Sequence, residues 1–199
     1  MKPKVLLFSG GADSTLILYR MLAAGEAVHA LCISYGQNPR ETDTAGDTLH
    51  QLYKLNLPGR LSTKLLSIGD FTWAIGKDGI FHHRNALFCA IAATYAVSIG
   101  ATEIVTGFID TMNVPTLPDT EIYDQSPYFL LSLNGFYSTP SGSLRFTAPL
   151  IGTDKGDILA ELAQKFPQAR VWSCYAGGHE PCGKCTACKV RDHYNCLTQ

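Results

Sequence analysis

The sequence predicts an α/β fold in which a doubly wound parallel sheet carries helices on both faces. Short apolar runs alternate along the chain with helix-like stretches of about ten to fifteen residues, which is the pattern of parallel βαβ units. The runs are nearly continuous in apolar residues, and this indicates strands buried on both faces. The chain has 199 residues, of which 46% are apolar and 17% charged, so it suits one domain with a substantial core.

The predicted strands are short runs dominated by apolar residues, as expected in a parallel sheet. In chain order they are KVLLF (4–8), AVHALCISY (27–35), RLSTKLLSI (60–68), TEIVTGF (102–108) and ARVWS (169–173). The first strand leads directly into a Ser-Gly-Gly turn. In a doubly wound sheet, ligands bind beyond the carboxyl ends of the strands, so this turn is the first place to look for a site.

The predicted helices lie between these strands. They are STLILYRMLAA (14–24), ETDTAGDTLHQLYKL (41–55), RNALFCAIAATYAVSIG (84–100), a short helix at 121–134 and TDKGDILAELAQKF (153–166). Gly25 and Gly100 close the first and third helices, and Thr153 or Asp154 caps the last. The stretch 110–149 contains five prolines and, apart from this short helix, is predicted to be mostly loop, of the kind that often forms a lid or binds substrate.

Charge and hydropathy exclude several classes of protein. The net charge is −1 and like charges do not cluster, so no sequence-independent binding of nucleic acid is expected. The chain lacks an apolar stretch of about 18 residues, so no membrane span is expected. Its N-terminal apolar run is short and leads into Gly-Gly-Ala-Asp, unlike an export signal. The expected location is the cytoplasm.

The turn after the first strand has the composition of an anion-binding loop. Ser9, Gly10 and Gly11 precede a helix whose first residues include Asp13 and Ser14. Glycines allow a sharp turn with exposed N–H groups, and a helix N-terminus adds partial positive charge. The spacing fits neither a dinucleotide fingerprint nor a Walker loop. Because no lysine meets a γ-phosphate and Asp13 would repel a bare phosphate, the loop favours a Mg²⁺-bound polyphosphate that is cleaved between the α and β positions.

A second motif lies near the C-terminus, where five of the seven cysteines fall between residues 174 and 196. Cys182, Cys185 and Cys188 form C-x₂-C-x₂-C, and Cys174 completes a set of four thiolates suited to a closed, tetrahedral Zn²⁺ site. His179 is an alternative fourth ligand, and an iron–sulfur cluster, disulfides or free thiols remain open. The cysteines outside this set are Cys32 and Cys89, expected in the core, and Cys196, which is unassigned.

The two motifs carry a resemblance to a known family. SGGADS resembles the PP-loop of the ATP pyrophosphatases, which have the adenine nucleotide alpha hydrolase-like fold. Together with the C-terminal segment from WSCY to Arg191, it resembles the QueC-like 7-cyano-7-deazaguanine synthase family. Further matches are RNAL at 84–87 and PLIGTDKGDI at 149–158, whereas the likeness is weak between 108 and 148.

This resemblance implies an ATP-dependent C–N ligase that forms AMP and pyrophosphate. The carboxylate of 7-carboxy-7-deazaguanine would be adenylated, ammonia would give the amide, and a second activation would give the nitrile. A homodimer is implied as well. The domain prediction is a PP-loop domain at 1–170 with a zinc-binding segment at 171–199 packed on it.

The resemblance also implies roles for particular residues. Those expected to bind ATP are Ser9, Gly10, Gly11, Asp13, Ser14, Thr15, Arg84 and Asn85. Catalytic roles fall to Ser9, Asp13, Ser14 and Lys155, with Asp13 acting through Mg²⁺ or orienting the loop and Lys155 stabilising charge on pyrophosphate. Other readings stay open: Asn85 as an ordinary helix cap, and Arg84 and Lys155 as surface residues.

One segment departs from the family. Where the family carries Tyr-Pro-Asp-Cys-Arg-Pro, this chain has TLPDTEIYD at 116–124. Pro118 and Asp119 are kept, but Glu121 stands where an arginine is expected. Asp119 and Asp110 are assigned to the substrate. The departure leaves open the ligation of the deazaguanine acid to another amine, such as that of a protein partner. A non-catalytic nucleotide-binding zinc scaffold is a further alternative, from another class of protein.

Overall fold

A computed structural model describes most of the chain, and its sheet has the predicted architecture. The described residues are 2–37, 39–74, 81, 83–109, 123–138, 144–174 and 180–194. The strands are β1 (Lys4–Leu7), β2 (Ala27–Ser34), β3 (Arg60–Ser67), β4 (Glu103–Val105) and β5 (Arg145–Thr147). The helices are α1 (Ala12–Ala23), α2 (Pro39–Lys54), α3 (Arg84–Ser98), α4 (Pro127–Phe136), α5 (Lys155–Lys165) and α6 (Thr186–His193).

All five strands are parallel and lie in the order β3-β2-β1-β4-β5. The order reverses between β1, which pairs with β2 on one side, and β4, which pairs with β1 on the other. This topological switch point is where open α/β sheets bind ligands. It places the Ser-Gly-Gly turn after β1 at the centre of the sheet edge.

Two apolar cores cover the two faces of the sheet, because successive residues of a strand point to opposite faces. In β1, Leu6 belongs to the core beneath α1, α2 and α5, whereas Val5 belongs to the core beneath α3 and α4. Ile104 and Val105 of β4 divide between the same two cores. The doubly wound α/β prediction is therefore confirmed. By contrast, β3 is an edge strand and is mostly exposed, so burial on both faces does not extend to it.

Several element predictions need correction. The run at 169–173 is not a strand, since its residues pack on the α1–α2 face through Ala169 and Val171 instead of joining the sheet. The strand β5 and the helix α6 were not predicted. The helix predicted at 121–134 begins later, at Pro127, where Ser126 accepts a hydrogen bond from the Phe129 N–H. Among the described residues, no helix combines the length and apolar character that a membrane crossing needs.

Candidate active site

The turn after β1 depends on Gly10, because any other residue at this position would be strained. Gly10 has φ +79°, and a Cβ built on it would lie 2.7 Å from Ala45 Cβ and 2.8 Å from Ala45 Cα. The loop therefore lies directly against α2. Gly11 has an ordinary extended conformation and serves as the N-cap of α1 without a side-chain bond. The backbone that leads into α1 therefore packs against α2 at Gly10, and neither Gly10 nor Gly11 places a side chain over it.

Two serine hydroxyls organise this loop from inside. Ser9 Oγ lies 3.3 Å from Ser14 Oγ and accepts a hydrogen bond from the Gly11 N–H. Ser14 Oγ donates to the Gly11 carbonyl at 3.2 Å. Thr15 is fully buried behind the loop, and its hydroxyl has no partner among the described residues. Ser9 and Ser14 thus line a cavity that lies beside the loop, whereas Thr15 does not.

Opposite charges meet at the loop. Lys155 Nζ lies 2.5 Å from Asp13 Oδ1, and the two side chains are only 14% and 23% exposed. Asp13 belongs to the first turn of α1 and Lys155 to the first turn of α5, so two helix N-termini converge here. The sequence separation is 142 residues, and only the fold brings this pair together. The two charges are therefore paired with each other at the loop.

A cavity of about 300 Å³ opens at the carboxyl ends of β1, β2 and β4. The predicted site residues on its wall are Ser9, Gly11, Asp13, Ser14, Arg84, Asn85 and Lys155. Gly10 turns away from it towards α2. Residues from the C-terminal segment, Trp172 and Arg191, close another side. The cavity therefore brings the loop, the start of α3 and the segment around the cysteines into one space.

Arg84 and Asn85 are held by the fold, and neither is an ordinary cap or surface residue. Arg84 donates from Nη1 to the Tyr35 hydroxyl at 2.9 Å and lies over the rings of Tyr35 and Phe88. Asn85 follows the N-cap residue His83, and the buried Asp124 accepts hydrogen bonds from its N–H and its side-chain amide. The start of α3 thus presents a fixed cation to the cavity.

A second carboxylate lies on the cavity wall near Arg84. Burial raises the pKa of Glu41, while the positive charge of Arg84 works in the opposite direction. Burial also raises the pKa of Tyr35. The described residues offer Glu41 no hydrogen bond or ion pair at direct contact. The cavity wall therefore carries a second carboxylate, close to the Arg84 cation.

The four cysteines of the C-terminal motif come together as predicted. Their Sγ atoms all lie within 4.8 Å of one another, and Cys182 Sγ is 3.9 Å from Cys188 Sγ. A tetrahedral zinc ion with bonds of about 2.3 Å spaces its sulfurs about 3.8 Å apart, so the set fits a metal. Backbone N–H groups of Lys184 and Cys185 lower the pKa of Cys182 to about 6. Burial raises the pKa of Cys188 to about 12.

Some predicted residues lie outside the described part of the chain. They are Asp110, Asp119, His179 and Cys196. The substrate assignment of the two aspartates and the alternative ligand role of His179 therefore stay predictions.

Comparison with known proteins identifies the family. The model of a family described as queuosine biosynthesis protein QueC matches residues 3–70 and 75–195. The chain belongs to this family. A relative, the 7-cyano-7-deazaguanine synthase from Prochlorococcus marinus strain NATL2A, is 31% identical over 207 residues, which cover 94% of this chain and 90% of the relative. The predicted family resemblance is confirmed.

Solved structures agree on the fold. A 4-thiouridine synthetase in complex with RNA and ATP matches with a TM-score of 0.61 at 20% identity, covering 83% of this chain and 41% of that chain. The U34-tRNA thiolase NcsA from Methanococcus maripaludis, with its 4Fe-4S cluster, matches with a TM-score of 0.58 at 14% identity, covering 96% and 64%. At these identities the likeness establishes the PP-loop α/β fold alone.

Several residues of the cavity were missed in the sequence. They are Tyr35, Gln37, Glu41, Thr106, Gly107, Trp172 and Arg191. A rule was available for those that follow β2 and β4, because ligands bind beyond the carboxyl ends of strands at a switch point. Gly107 illustrates it: a Cβ there would lie 3.3 Å from the Ser14 N, so β4 closes directly on the loop. Trp172 and Arg191 are the two ends of the C-terminal segment that carries the family resemblance, but the sequence does not show that they line the cavity of the glycine loop.

Proposed function

We propose that the protein adenylates the carboxylate of 7-carboxy-7-deazaguanine with ATP and converts it, with ammonia, first to the amide and then to the nitrile 7-cyano-7-deazaguanine. The observation that carries the proposal is the Asp13–Lys155 pair at the glycine loop, on the wall of a cavity at the switch point. It occurs in a chain 31% identical to a 7-cyano-7-deazaguanine synthase.

The loop would hold the β- and γ-phosphates of ATP, which leave as pyrophosphate. The first N–H groups of α1 and the Ser9 hydroxyl lie on the cavity wall, and the Ser14 hydroxyl, which donates to the Gly11 carbonyl, would turn to a phosphate oxygen when ATP binds. The N-terminus of α1 adds partial positive charge at the same place. These groups stabilise the negative charge that grows on the leaving pyrophosphate.

Asp13 and Lys155 would exchange partners when ATP enters. Asp13 is the residue that would hold Mg²⁺, a cation that prefers carboxylate oxygens and substrate phosphates. The Lys155 ammonium lies 2.5 Å from Asp13 Oδ1. Once Mg²⁺ takes the place of the ammonium at Asp13, the ammonium would contact the pyrophosphate oxygens. The pair therefore keeps both charges in place before the substrate arrives.

The chemistry balances with two molecules of ATP. A carboxylate oxygen attacks the α-phosphorus, pyrophosphate leaves, and the acyl adenylate forms. Ammonia attacks the carbonyl carbon, AMP departs with that oxygen, and the amide results. The amide oxygen then attacks the α-phosphorus of a second ATP, and loss of AMP with two protons gives the nitrile. Adenylation is needed because AMP is a far better leaving group than the oxide ion that an unactivated carboxylate would have to expel.

A second candidate keeps the adenylation and changes the amine. It is favoured by the TLPDTEIYD segment, which replaces an expected arginine by Glu121 and so reverses a charge in the substrate region. An amine of another molecule, such as a protein terminus or lysine, would then take the acyl group as a stable amide. Intact mass spectrometry of candidate partner proteins after the reaction separates the two.

The four cysteines would hold Zn²⁺ in a structural role. Their thiolates leave no position for water, and such a closed set stabilises folding and does not enter the reaction. The family resemblance further supports a homodimer, which light scattering on the purified protein tests.

The experiment is incubation with ATP, Mg²⁺, ammonium and 7-carboxy-7-deazaguanine, followed by analysis of all products. The expected products are AMP, pyrophosphate and the nitrile. Formation of ADP and phosphate would refute the class of reaction. ATP binding without release of pyrophosphate from any substrate mixture would favour a non-catalytic scaffold.

A further inference from the structure

The end of α6, the helix that follows the cysteine cluster, contacts the start of α5. Tyr194, which caps the C-terminus of α6, donates from its hydroxyl to Asp154 Oδ2 at 3.1 Å. Its ring lies against Gly156, where an added Cβ would be 3.1 Å from Tyr194 Cδ1 and Cε1. The two contacts flank Lys155 on either side in the sequence.

Asp154 has two tasks at this contact. One oxygen, Oδ1, accepts from the Gly156 N–H at 2.7 Å and caps α5. The other oxygen, Oδ2, accepts from Tyr194. The cap that fixes the first turn of α5 is therefore itself held from the C-terminal segment, and Gly156 provides the space for the tyrosine ring.

The residue between these contacts is the lysine that reaches the glycine loop. Lys155 begins α5, and its ammonium lies 2.5 Å from Asp13. At its other end, α6 begins beside the metal-ligand set, with Cys185 as N-cap and Cys188 buried in the first turn. A shift of the first turn of α5 would move the ammonium away from the loop.

We infer that Tyr194 is a positioning residue for Lys155: through Asp154 and Gly156, it ties the helix that follows the cysteine cluster to the active-site lysine. The inference rests on the proposed function, in which Lys155 stabilises the leaving pyrophosphate. It gives the C-terminal segment a part in catalysis besides folding, since misplacing a catalytic group by about 1 Å costs on the order of a hundredfold in rate.

The first test does not depend on activity. Metal-loaded wild type and Tyr194→Ala are labelled with a limiting amine-reactive ester, and modification of Lys155 and of Lys165 is measured by peptide mass spectrometry. Lys165 lies at the other end of α5 and serves as internal control. Loss of the hydroxyl bond and the ring contact is expected to raise Lys155 labelling about threefold or more, with Lys165 unchanged. Equal Lys155 labelling in both proteins would overturn the inference.

The second test is kinetic and uses a double-mutant cycle. Tyr194→Ala is expected to lower kcat for pyrophosphate release about tenfold with little change in KM for ATP, and Tyr194→Phe, which keeps the ring on Gly156, to recover most of the rate. In the Lys155→Ala background, Tyr194→Ala is expected to have almost no further effect. Fully multiplicative effects would show that Tyr194 acts independently and would overturn the inference.

The outcomes separate this inference from the proposed function. Tyr53→Ala, which changes another tyrosine that is 74% exposed on α2, is the control for removing a tyrosine and is expected to match wild type in both tests. A wild-type kcat for Lys155→Ala would overturn the catalytic role of Lys155 and with it the inference. If Lys155→Ala loses activity as expected but Lys155 labelling is unchanged in Tyr194→Ala, the positioning role of Tyr194 is overturned and the proposed function is not.

Discussion

Gly10→Ala is expected to destabilise the protein strongly, because the glycine loop has no room for a side chain at this residue. The backbone has φ +79°, and an L side chain there costs roughly 1–2 kcal/mol. The new Cβ would also lie 2.7 Å from Ala45 Cβ and 2.8 Å from Ala45 Cα. Moving α2 to relieve this overlap costs about 1–3 kcal/mol more. The expected loss in free energy of unfolding is therefore about 2–5 kcal/mol.

Urea denaturation of the purified variants measures this loss. The matched control is Gly46→Ala, which makes the same substitution one residue beyond Ala45 on α2, where a Cβ meets nothing within 4 Å. It is expected to gain up to about 1 kcal/mol from helix propensity. Ala45→Gly should rescue Gly10→Ala only in part, since Ala45 Cα remains in the way. A Gly10→Ala protein within about 0.5 kcal/mol of wild type would refute the described contact between loop and α2.

Three further predictions concern charge, pH and metal. Lys155→Ala should lower kcat for pyrophosphate release about a hundredfold, which is the scale of the effect of removing one preorganised electrostatic group. A coupled pyrophosphate assay measures this rate, and an unaltered rate would contradict the proposed role of Lys155. Burial raises the pKa of Glu41, so its stabilising contribution is present below the ordinary pKa of 4.5 and is lost as the pH rises through the folded value. Glu41→Gln should accordingly raise the urea midpoint at pH 7 but not below pH 4.5, and an equal gain at both pH values would show that ionisation is not the cause. By elemental analysis, wild type and Cys32→Ser should each contain about one zinc per chain, whereas Cys188→Ser should contain almost none. Zinc retained in Cys188→Ser would remove Cys188 from the ligand set.

The sheet could be predicted from the sequence because its central strands are buried on both faces. The runs at β1 and β2 have no polar alternation, so length and flanking turns identified them. The run at 169–173 has the same character, yet it is not a strand, because its apolar side chains are buried against helices. Apolar patterning reports burial, and burial alone does not specify strand pairing.

Elements that depend on distant contacts could not be predicted. The strand β5 has three residues and owes its conformation to pairing with β4. Helix α6 is short and polar, and its start is set by Cys185 and the cysteine cluster. Both lack the periodic pattern that identifies longer elements.

In the candidate site, too, residues within local motifs could be predicted, whereas contacts between distant residues could not. Ser9, Asp13 and the four cysteines lie within short motifs whose spacing is visible in the sequence. The Asp13–Lys155 contact and the support of Asn85 by Asp124 join residues 142 and 39 positions apart, so only the fold reveals them. Tyr194 belongs to this second group as well.

In the proposed reaction AMP leaves with the oxygens of the substrate carboxylate, so transfer of an oxygen isotope from the acid to AMP distinguishes it from other reactions. Substrate acid labelled with ¹⁸O in its carboxylate is converted with unlabelled ATP, Mg²⁺ and ammonium, and the nucleotide is analysed by mass spectrometry. With both carboxylate oxygens labelled, two AMP molecules are expected for each nitrile, each carrying one ¹⁸O in its phosphate. AMP free of ¹⁸O, or label found in inorganic phosphate beside ADP, would contradict the proposed reaction.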